Sequence, residues 1–235
     1  MKLPKIMIFD VGGTLINGSR FENVDLGYKY LYDEVLDVKE SYQDYTNFIN
    51  ELIKIIPERE KGSLEFSFRS LFNYLSLVYG LKTDLGYEQI EEMFISKFYQ
   101  YEMIDHVKTL LDYLKNQGVR MAVFSNSMYS SCQIKRELAS VGILTYFESV
   151  VSSADYLVRK PSRHVFTLYL KKYGIMGYKS DTIGYIGNMF KYDIEPVLPL
   201  KMVSILKSDH FEQHNDYLEI SNYLELIEEF KRDEE

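Results

Sequence analysis

The sequence predicts an α/β protein, a Rossmann-like parallel sheet flanked by helices and interrupted near its start by an all-helical insert. Three observations predict it. From residue 104 onward, short apolar runs alternate with amphipathic helical stretches, the pattern of strands joined by crossover helices. Several of these runs stop on polar side chains, which places those side chains at the carboxyl edge of a sheet, where open α/β sheets bind ligands. Between about Gly18 and Tyr101, strand-like alternation is absent and helical spacing replaces it.

The elements follow in order. Lys5 to Phe9 is an apolar run of strand length, stopped by Asp10, Val11 and the Gly12-Gly13 turn. The insert reads as helices over Phe21 to Leu36, Tyr42 to Ile56, Leu64 to Tyr79 and Tyr87 to Gln100. In the third, Leu64, Phe68, Leu71, Phe72, Leu75 and Val78 recur at steps of three and four. Pro57, Gly62 and the Gly80 to Gly86 segment punctuate them. A helix from Ile104 to Asn116 then ends at Gly118, a residue suited to a C-cap. Next come a strand Val119 to Phe124, a helix Ser130 to Val141, a strand Glu148 to Val151 and a helix Ser162 to Tyr173. Strands Thr182 to Ile186 and Met202 to Leu206 and a terminal helix Leu218 to Arg232 complete the chain. The division that follows is a core of residues 1–17 and 101–235 with a helical domain of residues 18–100, hinged near Gly18 and Tyr101.

Composition narrows the function. The 235 residues suit one core domain plus an insertion, and 46% hydrophobic with 26% charged residues is globular. A formal charge of -8 argues against nucleic acid as the main partner. No apolar run reaches the roughly 20 residues that span a bilayer. Met1-Lys2-Leu3-Pro4 leads straight into the first strand without a signal-peptide pattern, so a cytoplasmic protein is expected, monomeric or homodimeric, with no membrane partner. Cys132 is the single cysteine, so no internal disulfide forms; Leu138 stands where a Cys-x5-Arg nucleophile motif needs arginine, and Cys132 reads as a packing residue.

Four segments carry chemistry. Lys5-Ile6-Met7-Ile8-Phe9-Asp10-Val11-Gly12-Gly13-Thr14-Leu15 puts a carboxylate at a strand end, beside glycines that let the backbone approach an anion. Met121-Ala122-Val123-Phe124-Ser125-Asn126-Ser127 ends a strand on hydroxyls and an amide. Arg159-Lys160-Pro161 sets a lysine before a helix. Ile183-Gly184-Tyr185-Ile186-Gly187-Asn188 is followed five residues later by Asp193. In this order the segments resemble the haloacid dehalogenase-like hydrolase superfamily, from Lys5 to about Met202. The stretch Ser153-Ala154-Asp155-Tyr156-Leu157-Val158-Arg159-Lys160-Pro161-Ser162-Arg163-His164-Val165-Phe166 is also similar to that family. The resemblance makes the helical insert a cap over the active site, since the interval from Asp10 to Ser125 has room for one and that from Lys160 to Asn188 does not.

The resemblance implies roles residue by residue. Asp10 is the nucleophile, which forms an aspartyl-phosphate and splits one displacement into two. Ser125 and Asn126, with Gly12 and Gly13, bind the phosphoryl group. Lys160 neutralises the charge that Asp10 and the phosphoryl share. Asp10, the Gly12 carbonyl, Asn188 and Asp193 hold Mg²⁺, a cation of hard oxygen ligands; Asp193 also suits the orientation of Lys160. The chain departs from the family in three places. Gly12 stands where phosphatases have the aspartate that acts as general acid and base, dehalogenases a tyrosine, and phosphonate-cleaving members an alanine with a cap lysine. Asn188 replaces an acid. Pro196, Val197 and Pro199 follow Asp193, where the family has small residues.

These residues point to a Mg²⁺-dependent phosphohydrolase acting on a small phosphorylated molecule and weakened by Gly12. Substrates with good leaving groups, or a base supplied by the cap, fit that deficit. The alternatives are a catalytically silent binder and a metal-independent dehalogenase using Asp10 on carbon. Other groups rank lower: His210 and His214 read as surface residues, and Arg59, Lys61 and Arg69 read as a solvated face rather than anion contacts.

Overall fold

In the computed structural model, the described residues are 1–20, 24–35, 37, 41–54, 56–79, 83–97, 99–172 and 180–233. Their elements in chain order are β1 (Ile6–Phe9), β2 (Ile16–Arg20), α1 (Val24–Tyr30), α2 (Tyr42–Ile53), α3 (Phe68–Tyr79), α4 (Tyr87–Ser96), β3 (Tyr99–Met103), α5 (Val107–Asn116), β4 (Arg120–Ser125), α6 (Ser131–Ser140), β5 (Ser149–Ser152), α7 (Arg163–Lys172), β6 (Ile183–Gly187), β7 (Val203–Lys207), β8 (Glu212–Gln213), β9 (Leu218–Ile220) and α8 (Tyr223–Arg232).

β1 is buried along its whole length because strands flank it on both sides and helices cover both faces. A strand in that position has no solvent face, which explains an unbroken apolar run. The sheet order is β5-β4-β1-β6-β7-β9-β8, parallel throughout except for the antiparallel β8–β9 pair. On one face Val107, Leu110, Leu111 and Leu114 of α5 pack with Tyr223, Leu226, Ile227 and Phe230 of α8 against Met7, Phe9 and Val123. On the other, Val165, Phe166 and Tyr169 of α7 pack against Ile8, Phe124 and Tyr185. Helix ends are fixed locally: Ser130 caps α6 by accepting from the Gln133 amide, Asn222 and Glu225 form a capping box on α8, and Gly118 adopts φ +71° after α5.

The inserted helices have a core of their own, built from Tyr28, Leu31, Tyr45, Ile49, Phe68, Leu71, Phe72, Ile90, Phe94 and Ile95. None of the described residues of this insert joins the seven-stranded sheet.

The structure corrects several expected boundaries. The helix expected over Tyr87 to Gln100 stops at Ser96, and Tyr99–Met103 is a strand that pairs antiparallel with β2, setting Gly18 opposite Tyr101. Ile-Asn-Gly-Ser-Arg does not alternate, and Tyr-Gln-Tyr-Glu-Met does but over only five residues that run on from a helical stretch, so the pairing is what establishes both as strands. The terminal helix starts at Tyr223, not Leu218, because Leu218–Ile220 extends the sheet beside β7. The helix expected from Leu64 starts at Phe68, and Leu64 instead bridges to Val158. α2 ends at Ile53, followed by a helical turn over Ile56–Lys61. Residues 21–23 and 36 of the first expected insert helix, 80–82 of the following punctuation and Tyr173 lie outside the described residues.

Candidate active site

Asp10, Ser125, Lys160, Asn188 and Asp193 lie far apart in sequence but line one cavity of about 500 Å³ at the carboxyl edge of β1, β4 and β6. β1 delivers Asp10, whose amide still belongs to the sheet and donates to Ile186 O at 2.9 Å. β4 delivers Ser125, and β6 runs into Asn188.

Lys160 is the hub. It is 1% exposed, and its ammonium donates to Asp10 Oδ1 at 2.7 Å, Asp193 Oδ1 at 2.6 Å and the Tyr185 hydroxyl at 2.8 Å. Those three close partners match the three N–H donors of an ammonium, with Phe124 O a longer contact at 3.4 Å. Burial works against its charge, but the carboxylates of Asp10 and Asp193 outweigh it and hold the lysine above its ordinary pKa. Asp10 is raised to about 6, first by burial; Lys160 opposes the rise and Asp193 adds to it. Tyr185 is pushed well up by burial and then by the two carboxylates, so its hydroxyl stays protonated and donates to Asp193 Oδ1 at 3.2 Å.

The backbone of Lys160 is also held. The Asn126 side chain clasps it on both sides: Lys160 N donates to Asn126 Oδ1 at 2.8 Å, and Asn126 Nδ2 donates to Lys160 O at 3.0 Å. Asn126, expected to bind substrate, thus has its amide committed to positioning Lys160. Asp193 has both oxygens engaged as well, one by Lys160 and Tyr185 and the other by the Met189 amide at 3.0 Å. It faces Gly187 so closely that a Cβ there would lie 2.3 Å from its Cγ. Gly13 has φ +72°, and a Cβ on it would lie 2.2 Å from Asn188 Nδ2, so glycine is required on both counts. Gly12 is exposed into the cavity with no atom within 4 Å of a built Cβ.

The cavity lining and the residues bonded directly behind it include several that the sequence did not single out. Tyr185 interrupts an otherwise small and apolar strand, which was its signal. Arg159 stands beside Lys160 with no role expected of it, Tyr101 was expected only near a hinge, and Glu65 and Glu137 carried no signal at all. Arg59, read as solvated, is half-buried and lines the cavity. Lys61 and Arg69 are exposed as expected. Cys132 is half-buried on α6 with its thiol raised first by burial, which keeps it protonated, and His214 pairs with Glu219 at 3.1 Å away from this cavity.

The family model for haloacid dehalogenase-like hydrolases matches residues 7–196. The chain belongs to that family of hydrolases. It is 24% identical, over 97% of its own length and 99% of the relative's, to a glyceraldehyde 3-phosphate phosphatase of Methanocaldococcus jannaschii. A protein of the same name from Methanothermobacter thermautotrophicus is 25% identical over 92% of this chain and 91% of its own. Among solved structures, a magnesium-bound hydrolase of this superfamily from Bacillus subtilis shares the fold with a TM-score of 0.59 and 17% identity, covering 98% of this chain and 100% of that one. Among the described residues of this hydrolase, no helix is long and apolar enough to cross a membrane.

Proposed function

We propose that this hydrolase is a Mg²⁺-dependent phosphatase of small phosphorylated molecules in the cytoplasm, working through an aspartyl-phosphate on Asp10. The observation that carries the reading is the buried Lys160 ammonium bonded to both Asp10 and Asp193 inside a cavity that also holds Ser125 and Asn188. The relatives named glyceraldehyde 3-phosphate phosphatase support the substrate class. Asp10 attacks phosphorus and the leaving oxygen departs; water then attacks the phosphoryl group, releases inorganic phosphate and restores the carboxylate. Lys160 holds Asp10 in place and offsets the charge that builds on the phosphoryl oxygens, with Ser125 as a further donor. Two carboxylates against one lysine leave this cluster net negative, which suits a cation. Asp10, Gly12 and Asn188 line the cavity, and a carboxylate, a backbone carbonyl and a side-chain amide are hard oxygen donors, so the residues present fit Mg²⁺. Asp193, expected among the ligands, acts through Lys160. When bound, Mg²⁺ supplies further charge neutralisation at the phosphoryl group. Gly12 supplies no proton, so alkyl leaving groups depart unassisted.

The helices of residues 18–100 serve in this reading as a cap over the core, and the paired β2 and β3 carry both crossings between the two. Hydrolysis of a panel of phosphorylated metabolites and 4-nitrophenyl phosphate, with Mg²⁺ and with chelator, tests the proposal. Turnover that needs Mg²⁺ and disappears in Asp10→Asn is expected. Chelator-resistant release of halide from 2-haloacids would point instead to attack on carbon, and no turnover of any substrate to a silent binder.

A further inference from the structure

We infer that Glu137 and the tyrosines around it form a cation subsite in the cavity of Asp10, and that the ligand carries an ammonium group at the end away from its phosphoryl group. Glu137 comes from α6, lines the same cavity as Asp10 and is only 6% exposed. Its two oxygens differ. Oε1 accepts from the Tyr101 hydroxyl at 2.9 Å and from Gln133 Nε2 at 3.4 Å. Oε2 accepts from neither and is not sealed inside the protein, so it opens onto the cavity space. Both donors are neutral. Among the described residues no lysine or arginine pairs with Glu137; Arg136, its neighbour on α6, pairs instead with Glu92 at 3.0 Å. Gln133 Oε1 is buried without a donor. This corner therefore holds more acceptors than donors, and a buried acid that lacks a cation.

The walls are aromatic. Alternation along β3 puts Tyr99 and Tyr101 on one face, where their rings stack at 6.0 Å. Gly18 of β2 faces Tyr101, and a Cβ built there would lie 3.3 Å from that ring, so the glycine leaves it room. Tyr99, Tyr101 and Tyr129 all line the cavity. Burial, the largest cause in each case, holds the Tyr101 and Tyr129 phenols above their ordinary pKa, so both stay neutral. Glu91, the other acid whose charge reaches Glu137, is occupied by Ser130, accepting from its amide at 2.9 Å and from its hydroxyl.

The charges decide what such a corner receives. A carboxylate and the faces of tyrosine rings each attract a cation, and each repels a second anion. A neutral hydroxyl would fill one acceptor but leave the carboxylate uncompensated, whereas an ammonium brings both the donors and the charge. Burial already pushes Glu137 up to about 7 with no cation to oppose it, and a bound ammonium would keep it ionised. The class that fits is a small phosphorylated primary amine, with its phosphoryl group beside Asp10 and its ammonium at Glu137. Glu137, Tyr99 and Tyr101 also border a second cavity of about 380 Å³, so the probe must link the amine to a phosphate in order to read the Asp10 side.

The inference rests on the phosphatase reading only to place the phosphoryl group, so its test does not depend on turnover. Binding of a series of ω-aminoalkyl phosphates of increasing chain length, and of their ω-hydroxy counterparts, is measured by calorimetry on Asp10→Asn protein with Mg²⁺. At the best chain length the amine should bind roughly tenfold or more tightly than the alcohol, the expected gain from a charge-assisted pair. Glu137→Gln should bring that ratio close to one. Glu137→Asp should keep much of it and move the best length to a longer chain, because the carboxylate is drawn back by a methylene. If no amine binds more tightly than its alcohol, or if Glu137→Gln with the parental circular dichroism spectrum leaves the ratio unchanged, the subsite does not exist. If Glu137→Gln does not fold, Glu137→Asp decides: an unshifted best length overturns the inference. Hydrolysis of the alcohols with no tighter binding of the amines would uphold the phosphatase reading and overturn the subsite. Should the parent protein turn over nothing while the ratio holds, the phosphatase reading falls and the subsite stands.

Discussion

Replacing Gly12 by aspartate should convert a weak alkyl phosphatase into a stronger one. The site can take the side chain: no atom lies within 4 Å of a Cβ built there, Gly12 does not have the left-handed φ seen at Gly13, and the position opens into the cavity that holds Asp10. Backbone strain and steric clash therefore do not oppose the change. A positioned general acid contributes about 10²–10⁴-fold. The lower end is expected, about 10²-fold, because no atom lies within 4 Å of the built Cβ to fix the rotamer of the new side chain. The gain should depend on the leaving group. An alkoxide needs a proton as it departs, whereas 4-nitrophenolate leaves without one, so aryl phosphates should gain about tenfold or less. The assay is steady-state kcat/KM for an alkyl phosphate and 4-nitrophenyl phosphate in the parent, Gly12→Asp and Gly12→Ala. Alanine should leave both rates near the parent, since it adds bulk into open space and no proton. Equal gains for both substrates, or no gain for either, would refute the reasoning that Gly12 leaves proton transfer unsupported.

Two further outcomes follow from buried contacts. Gly187→Ala would set a Cβ 2.3 Å from Asp193 Cγ and push Asp193 off Lys160; overpacking of this kind costs about 1–3 kcal/mol. Calorimetry should show a Tm lower by about 2–10 °C with activity falling further than stability explains, and a variant with parental kcat would show that Asp193 need not hold Lys160. Glu137, on α6, is raised to about 7 by burial first and by Glu91 in addition, against the hydrogen bonds from Tyr101 and Gln133. Its folded value lies above its unfolded one. The stability it contributes is therefore complete below about pH 4.5 and is lost as the pH rises through about 7, by up to about 3 kcal/mol. The Tm of the parent should fall between pH 5 and pH 8 by about 5–10 °C more than that of Glu137→Gln, and parallel profiles would show that Glu137 does not titrate there.

The sequence by itself determined the sheet and the ends of its central strands. Apolar runs such as Ile6–Phe9 are unambiguous because a strand covered on both faces has no polar positions. A polar residue closing such a run must then sit at the sheet edge, which is why Asp10, Ser125 and Asn188 are legible as one site in the sequence. The tertiary structure decided what has no local signal. Tyr99–Met103 and Leu218–Ile220 are strands because partners are offered to them; each alternates, but three to five residues are too few for the pattern to stand out against the helical stretches beside them. Glu65 gives no hint in sequence that it gathers Arg59 and Arg159, since their meeting depends on the Ser63–Glu65 segment lying against Leu157–Arg159. Asn126 read as a ligand for substrate; its side chain also clasps the Lys160 backbone, a pairing across 34 positions that only the fold brings within 3 Å. Periodicity reports burial, which is a property of each residue; the partners of a buried polar group are a property of the whole chain.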